Sequence, residues 1–366
     1  MKFTVMKDIV LEELQILQGI VEKRNTMPIL ANILMNVTES GVEMTGTDLE
    51  VGLKTSFSAQ VEESGSVTVS GKKLFEIVKS LVDGHNVTFK EDGDQMIQVM
   101  SGESEFKVLC LPKEDYPQVP EPKFEKGIRL PVEEFREMID RVFFAIAQEQ
   151  RYYLNGALMV LKTKGLELVS TDGHRLSYVA KGIPELSLAK EVRVIVAKKT
   201  LGELRKLDGG DIEFDLDENN LFFRCGNRTL ISRIIESKFP NFEAVIPKDN
   251  PHSLVLSRDV FASAIRRVSL LSAERSKGVK FTIEKNRLRL FSSNPEIGEA
   301  RDKVEVDYKG PTIEIGFNAQ YFLDFLTAVG CEKVRFEFKD ENSAALLRPE
   351  GEENLRSLYV LMPMKI

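Results

Sequence analysis

Cysteine is scarce in this 366-residue chain, and the three present, Cys110, Cys225 and Cys331, are scattered along it. An odd, widely spaced set excludes a disulfide framework and a zinc cluster, so reduced core thiols are expected. Histidine is equally rare: besides His174 there are only His85 and His252, in polar stretches without metal-ligand spacing. No apolar run approaches the ~20 residues a membrane helix needs, so no membrane partner is predicted. The opening MKFTVMKDIVLEELQ meets charge early, which predicts neither signal peptide nor targeting helix, and hence a cytoplasmic location. Positive charge is not in surplus either: 50 Lys and Arg against 57 Asp and Glu give a net charge of −7. Taken alone, that speaks against nucleic acid, whose nonspecific binding depends on neutralising phosphates.

What is present is repetition. The chain is 42% hydrophobic and 29% charged, an ordinary globular balance, and long enough for two or three cores. Three segments begin alike: FTVMKDIVLEELQILQGIVEKR at Phe3, IRLPVEEFREMIDRVFFAIAQEQR at Ile128 and SLVLSRDVFASAIRRVSLLSAERSK at Ser253. Each reads as a short strand followed by an amphipathic helix. Three alternating strands follow in each copy, then a second strand and helix (SVTVSGKKLFEIVKSL, VRVIVAKKTLGELRKL, TIEIGFNAQYFLDFLTAVG) and three closing strands. Each copy is thus a doubled strand-helix-three-strand unit. The Pro-rich joints PQVPEPKFEKG and IPKDNPH divide the chain into 1–123, 124–250 and 251–366. The expected fold is α+β, with six helices on one side of a long antiparallel sheet. Similar units side by side curve regularly and can close a ring, here through a head-to-tail pairing of two chains.

In such a ring the placement of charge outweighs its total. The helical runs at 70–81, 197–207 and 257–277 are net basic, while the acid lies mainly outside the helices. A cationic inner wall within an anionic shell draws duplex DNA into the hole. The candidate phosphate-facing residues are Arg24, Lys72, Lys73, Lys198, Lys199, Arg205, Lys206, Arg266 and Arg267. Enclosure supplies retention, so sequence-independent contacts suffice.

STDGHRL resembles catalytic material, with His174 beside Asp172 and Arg175. A small-molecule enzyme is therefore one competing reading, and a repeat scaffold without a DNA role is another. The repeats favour a structural turn, since Thr47-Asp48 in TGTDLE takes the matching place, with Asx-type bonding to nearby backbone. No nucleophile elbow is present. SGKK from Ser70 lacks the glycine spacing of a phosphate loop and reads as a helix cap, and no dinucleotide fingerprint follows a strand, so no cofactor is indicated. The terminal SLYVLMPMKI reads as a core strand that continues into a soft apolar surface, with Met362 and Met364 able to repack around a partner peptide.

MKFTV, TMPILANIL, GTDLE, RYYLNG, STDGHRL, KFPNFEAVIPK, IGFNAQY and YVLMPMKI together resemble the bacterial DNA polymerase III β subunits, the sliding-clamp family, in order along the whole chain. The resemblance implies a DNA clamp fold of three similar domains, with helices lining a ring and antiparallel sheets outside. Its implied function is that of a non-catalytic processivity factor: a head-to-tail homodimer encircling duplex DNA, placed there by a separate clamp loader. It would tether the polymerase III catalytic subunit, the loader and other proteins carrying a clamp-binding peptide with Gln, Leu and Phe.

Carried over position by position, the peptide pocket has walls from Leu154, Thr171, Gly173, His174, Arg175 and Leu176, from Pro240 and Val245, and from Val360, Met362, Pro363 and Met364. Arg151, Tyr153, Asn318 and Tyr321 belong to its second half. Ala244 stands where some relatives are basic, and Lys365-Ile366 replaces the commoner Arg-Leu ending, so peptide preference should differ. Family DNA contacts map onto Arg24, Gln148, Tyr152 and Tyr153. The dimer contact maps onto Phe106 of one chain against Leu270 and Leu271 of the other, and Glu103 and Glu105 are acidic where a relative is basic, so its ion pairs do not transfer.

Overall fold

The computed structural model describes residues 1–21, 27–93, 95–124, 128–148, 152–183, 190–274 and 276–365. Its element order repeats as the sequence does. In the first copy β1 (Lys2–Met6) and α1 (Lys7–Leu17) precede β2 (Asn32–Thr38), β3 (Gly41–Thr47) and β4 (Val51–Phe57). A short β5 (Gln60–Glu63) intervenes before β6 (Gly65–Ser70), α2 (Gly71–Ser80), β7 (Asn86–Asp92), β8 (Met96–Ser101) and β9 (Ser104–Leu111).

The second copy runs β10 (Ile128–Pro131), α3 (Val132–Phe143), β11 (Gly156–Lys162), β12 (Gly165–Thr171), β13 (Arg175–Gly182), then β14 (Val192–Ala197), α4 (Lys198–Leu204), β15 (Asp211–Leu216), β16 (Asn220–Cys225) and β17 (Arg228–Arg233). The third runs β18 (His252–Ser257), α5 (Arg258–Ser269), β19 (Gly278–Glu284), β20 (Arg287–Asn294), β21 (Gly298–Glu305), then β22 (Ile313–Asn318), α6 (Ala319–Ala328), β23 (Lys333–Phe338), β24 (Ala345–Pro349) and β25 (Arg356–Leu361). Among the strands and α-helices of the described residues, β5 alone falls outside the doubled strand-helix-three-strand scheme.

The strands form three sheets among the described residues, not the single long one expected. In the first copy β6 meets β9 at Thr68↔Leu111 and Val69↔Cys110, joining the two halves; in the third copy β22 and β25 do not pair. The chain makes two compact units, Met1–Phe135 with Lys199–Ile234, and Arg136–Lys198 with Ile235–Ile366. The first holds a 13-stranded sheet in the order β10-β15-β16-β17-β4-β3-β2-β6-β9-β8-β7-β1-β5. The second holds an eight-stranded sheet, β14-β11-β12-β13-β25-β24-β23-β18, and a four-stranded one, β21-β20-β19-β22.

One joint occurs in both units. The third strand of one copy's first half pairs antiparallel with the last strand of the next copy: β4 with β17 through Leu53↔Leu230, and β13 with β25 through Ser177↔Tyr359. Helices lie on the sheets by their apolar faces. Ser70 caps α2, its hydroxyl accepting the Lys73 amide at 3.5 Å, and Asn318 caps α6, accepting the Gln320 amide at 2.9 Å. α5 buries Phe261, Ala262, Ala264, Ile265 and Val268 and leaves Arg266 and Arg267 in solvent. Beneath it Phe261, Phe281, Phe317, Phe322 and Phe336 pack mainly edge to face, the geometry the ring quadrupoles favour.

Candidate functional site

The second unit carries a cavity built on the turn between β12 and β13. The Thr171 hydroxyl donates to the Arg175 carbonyl at 2.7 Å and accepts the Gly173 amide at 3.1 Å. One oxygen of Asp172 accepts the His174 and Arg175 amides at 3.0 and 3.1 Å. Gly173 sits at φ 92°, a region glycine enters without steric cost. Asp172 is therefore occupied by the turn, as the repeats indicate, and His174 stands exposed at its tip.

Arg175 fixes this turn to the rest of the unit. Its Nε donates to Asp172 at 2.9 Å, one terminal nitrogen to Asp324 at 2.6 Å and the other to the Phe144 carbonyl at 2.7 Å. The guanidinium lies 4.3 Å from the Tyr321 ring centre, close enough for cation–π attraction. Burial works against its charge, but Tyr359, Asp324 and Asp172 outweigh that and hold the group above its ordinary value. Burial pushes the Tyr359 hydroxyl up, so it stays protonated and donates to the Tyr321 carbonyl at 3.0 Å.

The cavity encloses about 200 Å³. Tyr153, Leu154, Leu176, Phe242, Val245, Val360 and Met362 give it apolar walls, and Thr171, Gly173, His174, Arg175, Pro240 and Asn241 complete the rim. The chain end is held over it by backbone bonds, the Met362 amide to the His174 carbonyl at 3.0 Å and the Met364 amide to the Gly316 carbonyl at 2.8 Å. Met362 is 46% exposed, an adaptable thioether facing solvent beside an apolar hollow. Such a site suits a few aliphatic or aromatic side chains held by a short backbone segment.

Of the residues expected here, Asn318, Tyr321, Pro363 and Met364 do not line the cavity; Tyr321 reaches it through Arg175, while Asn318 caps α6. Arg151 lies outside the described residues. Asn241 and Phe242 were not anticipated. The signal was present in KFPNFEAVIPK, where an aromatic two residues past Pro240 packs against Tyr178 with ring centres 5.9 Å apart.

The cationic candidates differ in freedom. Lys72 and Lys73, at the exposed start of α2, share Glu76 at 3.7 and 2.8 Å. Arg266 and Arg267 project from the last turn of α5, with Arg267 paired to Asp302 at 2.7 Å. Lys206 pairs with Glu203 at 2.7 Å, and Arg205 and Gln148 are exposed. Lys199 is tied inward, to the Asp48 carboxylate and, at 2.9 Å, to the Ile20 carbonyl. Lys198 is half-buried, its ammonium 5.4 Å from the Phe143 ring, and desolvation lowers its proton affinity. A phosphate at either lysine would compete with these contacts. Arg24 and the side chain of Tyr152 lie outside the described residues, and Tyr153 is half-buried at the cavity.

At the expected dimer contact Phe106 is half-buried on β9, Leu271 is half-buried after α5, and Leu270 is 77% exposed. Among the described residues no His, Cys, Asp and Glu cluster could hold a metal ion, and no helix is long and apolar enough to cross a membrane.

Comparison with known proteins agrees over the full length. Residues 1–120, 129–241 and 243–365 match the N-terminal, central and C-terminal domains of the DNA polymerase III beta subunit. The beta sliding clamps of Pseudomonas putida and Escherichia coli are 36% and 34% identical, with all of each chain covered. A Pseudomonas aeruginosa sliding clamp bound to griselimycin superposes with a TM-score of 0.94 at 34% identity and full coverage of both chains. A Caulobacter crescentus clamp, with polyethylene glycol in a putative beta-motif tethering region, gives 0.94 at 35% identity, covering 100% of this chain and 99% of that one.

Proposed function

The chain belongs to the DNA polymerase III beta subunit family, and from this we infer that it is a sliding clamp, a non-catalytic processivity factor that surrounds duplex DNA and tethers replication enzymes to it. Two copies close head to tail into a ring in the cytoplasm, where chromosomal replication takes place. The observation that carries the closure is the repeated joint. β4 pairs with β17 and β13 with β25, which leaves β21 of the third copy and β9 of the first as the unmatched members of the same series. Both strands carry one burial pattern, with a single buried position near the end; β21 closes its sheet, and β9, flanked by β8, meets β6 only through Cys110 and Leu111. Leu109 beside one edge and Leu270 and Ile297 beside the other are more than half exposed, an apolar surface that a monomer would leave in water.

Within the ring, Lys72, Lys73, Arg205, Lys206, Arg266 and Arg267 are the phosphate contacts, and Lys198 and Lys199 serve mainly to brace the fold. The cavity at Gly173, His174, Leu176, Val360 and Met362 takes the apolar part of a partner's peptide, and Asn318, Tyr321, Pro363 and Met364, outside its lining, are assigned to the rest of that peptide by the family resemblance alone. A closed ring releases DNA only at an end. The deciding experiment loads the protein onto nicked circular DNA and then linearises it: a clamp stays on the circle and is lost from the cut form, whereas equal release from both refutes enclosure.

A further inference from the structure

The joint that builds the peptide cavity is built a second time in the first unit, and it too encloses a cavity, of about 260 Å³. The correspondence holds atom by atom. Thr47 donates to the Val51 carbonyl at 3.1 Å and accepts the Leu49 amide at 3.0 Å, and Asp48 accepts the Glu50 and Val51 amides, as Thr171 and Asp172 do in the other turn. The Arg233 amide donates to the Glu50 carbonyl at 2.8 Å, matching the Met362 amide on His174. The first linker, Pro117 to Pro120, forms a wall where Pro240 to Val245 forms one in the second unit.

The lining chemistry has changed. Leu49, Glu50, Gly52 and Arg233 occupy the places of Gly173, His174, Leu176 and Met362. Gly52 leaves room for the linker, since a Cβ there would meet Val119 at 3.1 Å. Two features mark the cavity as more than a structural gap. Leu49 is held at φ 77°, where a leucine is strained, and is half exposed over the hollow; strain kept in this way collects at functional positions. Arg233 is exposed, and among the described residues no carboxylate pairs with it and no acceptor receives its side chain.

We propose that this cavity is a second peptide-docking site, for a short extended segment that sets an aliphatic side chain against Leu49 and Val119 and a carboxylate on Arg233. An acidic-aliphatic sequence fits it, as an apolar-aromatic one fits the first cavity, so one chain holds two partners of different motif at once. Recognition is by bidentate pairing of carboxylate with guanidinium and by main-chain bonds to the Asn219 and Gln118 amide side chains at the mouth. The proposal rests on the reading of the first cavity as a peptide site.

The test uses the whole protein and two labelled probes, acetyl-Leu-Asp-Leu-Asp-amide for the second cavity and acetyl-Gln-Leu-Ser-Leu-Phe-amide for the first, followed by fluorescence anisotropy. Both should bind together without displacing one another. Arg233→Glu should weaken the acidic probe by at least about tenfold, the loss of one charge-assisted contact, and leave the other unchanged. Leu49→Gly relieves the strained backbone, so the acidic probe should weaken while the melting temperature holds or rises. Displacement of the acidic probe by the aromatic one, indifference to Arg233→Glu, or absence of saturable binding overturns the proposal. If the aromatic probe alone fails, with the acidic probe still sensitive to Arg233→Glu, the first cavity has been misread and the second stands.

Discussion

Among single residues the most consequential for stability is a carboxylate in the first unit. Glu13 on α1 accepts Arg228 Nε at 3.0 Å and Nη2 at 2.9 Å, Thr55 at 2.6 Å and Asn227 at 3.2 Å, and is almost wholly buried. It thereby links the first helix of one copy to the last strand of the next across the β4·β17 joint. Removing one partner of a buried pair leaves the other charge unpaired, so Glu13→Ala should cost about 3–5 kcal/mol in denaturant unfolding. Glu12, whose side chain is 66% exposed, reaches the same arginine, and Glu12→Ala should cost no more than about 1 kcal/mol. Burial alone would raise the Glu13 pKa, yet the bonds from Arg228 and Thr55 outweigh it and hold the carboxyl below its ordinary 4.5. The folded group is therefore the stronger acid. Its stabilising contribution is complete above that ordinary value and fades as pH falls through the lower folded one. Glu13→Gln should accordingly flatten the acid limb of the stability curve, and an unchanged limb would show that the network contributes nothing there.

At the scale of elements, the terminal segment past β25 separates partner binding from folding. The Met362 and Met364 amides are bonded to the His174 and Gly316 carbonyls, and both residues follow the end of the strand at Leu361. Deleting 362–366 should weaken a Gln-Leu-Phe peptide by about tenfold or more while the dimer persists by light scattering; undiminished affinity would remove the chain end from the site. The doubled order of strands and helices was legible because alternation and helical spacing recur three times. Helix ends were not. The segments that begin at Phe3 and Ile128 read as helical to their ends, yet α1 ends at Leu17 and α3 at Phe143; Ile20, Val21, Ala145, Ile146 and Ala147 stay buried after the helix has ended and so prolong the apolar pattern. Periodicity reports burial, and burial outlasts the helical backbone. β5 was missed because QVEE is nearly all exposed and is held by pairing with β1 at Phe3↔Val61. The first cavity's walls were legible only through family motifs, since Leu176 and Val360 become neighbours by a long-range register.

For the whole molecule, closure and charge can be tested apart. If β9 and β21 complete the series of joints, Leu109→Asp or Leu270→Asp places a carboxylate in the apolar seam and should yield a folded monomer by sedimentation, since both positions are solvent-exposed in the single chain. A dimer unaffected by both would move the contact elsewhere. Reversing Lys72, Lys73, Arg266 and Arg267 to Glu should leave the dimer intact, each change altering stability by no more than about 0.5 kcal/mol at these exposed sites. Electrostatic attraction to DNA should fall, with loading reduced about tenfold or more at low salt and its salt dependence flattened, because fewer counterions are released. Once the reversed protein has been loaded, however, enclosure predicts that it still leaves circles far more slowly than cut DNA. Loss of that difference would mean that the lysines and arginines, and not the closed path, had been holding the duplex.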